Sequence, residues 1–197
     1  MKAHPFPPVV RWVLFPALAA VAGAAGGGAV AVLLMRRELV GFVALTAFLA
    51  AGGALGAVLS TRVWLTLVAS PLVGLLAGFM SFYIAVVSMT RDPATTWVTV
   101  ARTIGESGHV LPLLIATIFF QTAAHVASLR PRFRGEWIRP AAFYLVAAAL
   151  IAAAGFAFGP RHEANIFACL ASSALFQVVP FRVAADVSRR LRPEEAF

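Results

Sequence analysis

Six apolar runs, at about residues 12–34, 39–60, 63–89, 110–129, 141–159 and 165–183, leave this chain of 197 residues little choice of fold. A helix needs roughly 20 mostly apolar residues to cross the hydrocarbon of a bilayer. Inside that hydrocarbon the backbone must satisfy its own hydrogen bonds. The expected fold is therefore all-α, with residues 1–197 forming a single transmembrane domain, a six-helix bundle. Most connections are short, which makes sequential helices antiparallel neighbours. Composition agrees: 61% of the residues are hydrophobic and 12% charged, where a soluble domain has about a quarter charged. The first run, preceded by Lys2 and Arg11 and carrying small residues at Ala24 and Ala25, has some character of a cleavable signal. Its apolar part exceeds the roughly 7–15 residues of such a region, so it reads as a retained helix.

The formal charge of +8 is distributed in short loops between the apolar runs. That placement points to membrane topology and anionic headgroups at the cytoplasmic face, and away from nucleic acid. With the N-terminus inside, eleven of the sixteen Lys and Arg residues fall on the inner side. The expected location is the plasma (inner) membrane with both termini cytoplasmic. Trp12, Trp64, Trp97 and Trp137 lie at run ends or in connections, where an amphipathic indole prefers the interface. Cys169 is the only cysteine, which excludes an intrachain disulfide or a CxxC redox pair. No motif calls for a cofactor.

Small residues recur four apart in the first three runs: Gly23 and Gly27, Gly52 and Gly56, Gly74 and Gly78. Such stripes let helices approach closely where lipid supplies no hydrophobic drive. They suit packing within the chain, or contact with a second copy or a partner membrane subunit. Pro16 and Pro71 fall near run starts, where proline is tolerated.

One connection is long. Asp92 and Pro93 are helix-start residues, and Trp97, Ala101 and Ile104 then share a face opposite Thr95, Thr99, Arg102 and Glu106. This pattern predicts a short amphipathic interfacial helix over about 93–104, ended at Gly105.

The chemistry-bearing residues lie beyond it. Thr117, Gln121 and His125 follow one another at spacings of four in the fourth run, and Asn165, Cys169, Ser172 or Ser173, and Gln177 form a stripe in the sixth. Polar side chains in hydrocarbon need partners, and an ionisable one marks a functional site by default. Counting from the inner ends at about 1.5 Å per residue puts Gln121, His125 and Gln177 at similar depth. The expectation is a polar seam between the fourth and sixth helices that serves as a substrate pathway through Thr117, Gln121, His125, Ser173 and Gln177. Interhelical hydrogen-bond glue is the plainer alternative. The fifth run is expected to face lipid or a partner. On the outer side Glu106, His109, His162 and Glu163 are weak candidates for a metal, without a compact ligand motif.

Two local resemblances complete the reading. Gly105-Glu106-Ser107-Gly108 is similar to the G-x-S-G string at the nucleophile of rhomboid intramembrane proteases. The nearest later histidine in a run, His125, is 18 residues on, so roughly 27 Å along the same helix, and cannot be the base. Thr90-Arg91-Asp92-Pro93-Ala94-Thr95, Gly105 and Val110-Leu111-Pro112-Leu113-Leu114 with Ala116 resemble a stretch in the second half of CLC-type chloride channels and transporters. Leu45 stands in place of that family's anion-loop proline and Arg102 in place of its glutamate, so no ion-binding residue carries over. Together these features favour a small transporter, channel-type protein or permease subunit. A non-catalytic assembly subunit is the alternative, and an intramembrane enzyme a third.

Overall fold

A computed structural model of the chain describes residues 6–34, 39–59, 110–129, 137–158 and 164–191, with short pieces between 68 and 102. The described residues are helical throughout, without a strand. A π-helical turn at Val10–Leu14 leads into α1 (Phe15–Leu33), followed by α2 (Leu39–Leu59), α3 (Val110–Ser128), α4 (Ile138–Phe158), α5 (Ala164–Phe176) and α6 (Val178–Leu191). Five helical stretches are long and apolar enough to cross a membrane, with α5 and α6 counted as one. Most of the third apolar run and of the expected interfacial helix lies outside the described residues. The outward faces carry exposed Val13, Val21, Leu33, Leu145, Leu150 and Phe156, a surface that suits lipid and not water.

The five stretches close into a ring, α1 to α2, α2 to α3, α3 to α4, α4 to α5 and α5 back to α1. Glycines set the closest approaches. A Cβ at Gly23 would meet the Ala50 side chain and lie 2.6 Å from the Thr46 carbonyl, and one at Gly27 would run into the Thr46 side chain. These contacts, with Arg11 donating to the Val58 carbonyl at 3.0 Å, define an antiparallel α1–α2 hairpin. The guanidinium sits where the unpaired carbonyls and negative dipole end of α2 favour a cation. Gly26 packs against Ser172 and Phe176 of α5, and Gly155 of α4 against Phe167. Gly52 is also buried, and Gly78 lies outside the described residues.

Gly53 of α2 faces Gln121 and Thr122, and Gly56 faces Thr122; Leu49 shares a core with Ile118, and Val58 with Ala124. Ascending residues on α2 meet ascending residues on α3, so the two run in the same direction. Parallel helices need a connection that returns across the layer, and the apolar run at 63–89 is long enough to make that return. Gly74, within it, lies against Ile115 and Ile118 of α3 at 3.4–3.6 Å.

Pro16 does more than sit near a run start, and a second proline, Pro180, breaks a run expected to be continuous. Helix begins at Pro8, so Pro16 sits inside a continuous helical stretch. Proline offers no N–H to the carbonyl four residues back. The preceding turn is π-helical, with the Phe15 N–H bonded to the Val10 carbonyl five residues back. Pro180 has the same effect on the expected sixth helix, which is interrupted at Gln177. The Gln177 N–H bonds to the Ala174 carbonyl at 3.2 Å, and the regular four-residue ladder resumes with Phe181 bonded to the Gln177 carbonyl.

The glycine contacts predict a graded response. Adding a methyl group at Gly23 or Gly27 forces α1 and α2 apart at a cost of about 1–3 kcal/mol, outweighing the gain of up to about 1 kcal/mol in helix propensity. Thermal unfolding of purified protein in detergent should show lower midpoints for Gly23→Ala and Gly27→Ala. Gly74→Ala, which meets only ordinary contacts, should behave as wild type. Equal midpoints for all three would show that α1 and α2 do not pack as described.

Candidate functional site

On α3, Thr117, Gln121, His125 and Ser128 recur at spacings of four, four and three, which keeps them on one face, and all four are buried. The two ends of this ladder are tied to their own helix. Thr117 donates to the Leu113 carbonyl at 2.9 Å and Ser128 to the Ala124 carbonyl at 2.8 Å. Next to Gln121, Thr122 donates across the bundle to the Gly53 carbonyl at 3.2 Å. The missing side chain at Gly53 makes room for this approach, since a Cβ there would stand 3.0 Å from both Gln121 Cβ and Oε1.

His125 is held by aromatic neighbours from other elements. Its Nδ1 lies 2.6 Å from the Tyr144 hydroxyl of α4. The Phe15 ring of α1 meets the imidazole edge-on with centroids 4.9 Å apart, and Tyr144 does so at 5.2 Å. Phe181 packs on Tyr144 at 6.3 Å, and Phe6 lies against both Phe15 and Phe181. These rings shield the site from the N-terminal end of α1.

Gln177 enters from the break between α5 and α6. Its backbone N–H has moved to the Ala174 carbonyl, which leaves the Ser173 carbonyl without its usual donor. The Gln177 side chain supplies the replacement: Nε2 donates to the Ser173 carbonyl and to the Ala19 carbonyl of α1, each at 3.2 Å. Both amide hydrogens are thereby engaged. Gln177 Oε1 and His125 Nε2 are buried and have no hydrogen-bond partner among the described residues. Neither the nitrogen nor the oxygen of the Gln121 amide, one turn along α3, has a partner among the described residues.

Ser173 donates to the Thr46 carbonyl at 3.4 Å and Ser172 to the Gly26 carbonyl at 3.0 Å. Both accepting helices are brought near by α1 glycines. Thr117, Gln121, His125, Ser173 and Gln177 are thus all interior.

The expected two-sided seam takes a different form. α3 and α5 barely touch; α1, α2 and α4 lie between and beside them, and the polar groups are shared among all five. The fifth run differs too. It shows lipid its Leu145, Val146, Leu150 and Phe156, but Tyr144 points inward and is fully buried. Counted from Ile138 the tyrosine is about 9 Å into the span, deeper than an interfacial anchor and in need of a partner for its hydroxyl; counted from residue 141, where the sequence run begins, it is only about 5 Å in and passes for such an anchor. Glu106, Ser107, His109, His162 and Glu163 lie outside the described residues, among which no group of metal ligands occurs.

No family model, characterised protein or solved structure matches the chain, so the site must be read from its own geometry. A buried carbonyl stripped of its donor costs about 1–3 kcal/mol. Gln177→Leu should therefore lower stability by that amount in denaturation experiments in detergent. A variant as stable as wild type would show that the amide does not serve the Ser173 carbonyl.

Proposed function

We propose that the protein is a small transporter, channel-type protein or permease subunit of the plasma (inner) membrane, with its termini in the cytoplasm and its basic loops against anionic headgroups. The substrate pathway runs along the α3 ladder and past Gln177. One observation carries this reading. Four polar atoms on Gln121, His125 and Gln177 are buried among apolar helices without a bonded partner among the described residues. A group buried in this way costs free energy that interhelical glue would not leave unrecovered. A site that meets a passing polar species supplies a reason to keep it.

The alternative, an assembly subunit joining a second copy or partner through its small-residue stripes, has less support. Gly23, Gly27 and Gly56 are covered by Ala50, Thr46 and Thr122 of the same chain. Each glycine can serve one close approach at a time.

Reconstituted proteoliposomes test the reading. Permeability to protons, read with an entrapped pH dye, or to urea or glycerol, read by swelling, should exceed that of protein-free vesicles. It should fall to the vesicle background in Gln121→Leu and in His125→Leu. Permeabilities indistinguishable from empty vesicles for every one of these probes would refute the proposal.

A further inference from the structure

We infer that the pathway carries a small uncharged solute of the amide class, urea being the simplest, and that the amide of Gln121 is the group that recognises it. This rests on the transport reading above and names its substrate class. Contacts along α1 set the depth of the groups concerned. α5 and α6 run antiparallel to α1: Ser172 bonds to the Gly26 carbonyl, Gln177 bonds to the Ala19 carbonyl, and Phe181 shares Phe6 with Phe15. α3, parallel to α2, runs the same way, with His125 against Phe15. One turn deeper, Gln121 faces Gly53 of α2 and Gln177 meets Ala19. Gln121 and Gln177 therefore share one depth, a turn inside the aromatic layer of Phe15, Tyr144 and Phe181 that holds His125.

The unpartnered atoms at that depth have a definite chemistry. Both ends of the Gln121 amide are unpaired among the described residues, a donor and an acceptor side by side in one plane. Gln177 offers Oε1 alone, as an acceptor, because its amide hydrogens are committed to the Ala19 and Ser173 carbonyls. The buried Tyr144 hydroxyl needs an acceptor, and His125 Nδ1 at 2.6 Å serves. The ring hydrogen then sits on Nε2, which becomes a donor. The buried polar side chains near these helices are threonine, serine, glutamine and histidine; no carboxylate, lysine or arginine is among the fully buried groups of the described residues.

An ion entering this set would shed its water without meeting an opposite charge, which costs far more than burying a neutral polar group. A neutral amide faces no such barrier. Its N–H and C=O lie in one plane and complement the two ends of Gln121. Urea goes further: its carbonyl has a second lone pair for His125 Nε2–H, and its second amino group a hydrogen for Gln177 Oε1. A polyol has hydroxyls in place of the planar pair and matches Gln121 less well. In this conformation the four atoms are closed off from water, so loading requires the aromatic layer to part. The interrupted ladder at Gln177 is where α6 can swing Phe181 aside, as hinges at element ends do.

Light scattering from proteoliposomes after rapid mixing reads the test. Urea and acetamide should enter faster than into protein-free vesicles and faster than glycerol, while proton flux, read with an entrapped dye, stays at the vesicle background. Gln121→Met keeps the length and volume of the side chain but has neither end of the amide, and should lower urea flux roughly tenfold or more. Because the amide it removes has no partner to lose, the variant should melt no lower than wild type. Gly53→Ala, whose methyl would stand 3.0 Å from Gln121 Oε1, should also slow urea, whereas Gly74→Ala should not. Wild-type urea flux in Gln121→Met, or glycerol passing as fast as urea, would overturn the amide site. A lowered melting midpoint in Gln121→Met would do so too, by showing that the amide is already paired within the protein. A wild-type protein that passes protons but no urea would overturn the substrate class and leave the transport reading standing. Absence of all flux would overturn both.

Discussion

The close approach of α1 and α2 at Gly23 and Gly27 is the contact on which the rest of the interior depends. In lipid the helices gain nothing from hiding apolar surface from one another, so packing contacts and hydrogen bonds must hold them. With Thr46 and Ala50 pressed against bare backbone, the carbonyls of α1 and α2 lie close to one side of the bundle. From there Gly26, Thr46 and Ala19 accept hydrogen bonds from Ser172, Ser173 and Gln177. Each such bond contributes around 0.6 kcal/mol. Their effect is geometric as much as energetic, because together they fix where Gln177 sits.

Gln177 shows how a helix defect and a polar site can be one feature. Pro180 has no N–H for the carbonyl of Phe176, and the strain is absorbed by a tighter turn at residue 177. That turn strips the Ser173 carbonyl of its backbone donor, and the side chain of the same glutamine fills the gap. The amide is consequently orientated by the backbone around it. An uninterrupted helix would have satisfied Ser173 internally and left the amide free to turn. Continuity of the expected sixth span is what the protein gives up at this point.

Much of the architecture was legible in the sequence because its cause is local. Twenty apolar residues specify a helix long enough to span, and α2, α3 and α4 start and stop within a few residues of the runs. Spacing also singled out Gln121, His125 and Gln177, and all three are buried. Which helices are neighbours did not follow. The glycine stripes announce a close contact without naming the partner, so Gly23 could be assigned to α2 only once the helices were placed. Tyr144 escaped for a related reason. Its run is otherwise apolar, and a single polar residue carries no periodicity by which to find the face it shares with His125. The interruption at Gln177 was written in Pro180, but its effect depends on a side chain reaching backward along its own helix.

Ring closure by α1 and α5 also orders events in time. The contact between Ala19 and Gln177 joins residues 158 positions apart, and α2 meets α3 only after the intervening stretch has been laid down. During synthesis, α1 and α2 can pair as soon as both have emerged, and His125 then arrives with Phe15 already present on one side. Tyr144 follows, and the histidine stays open on its remaining side until residue 177 is made. The polar interior is therefore assembled from the periphery inward and sealed late.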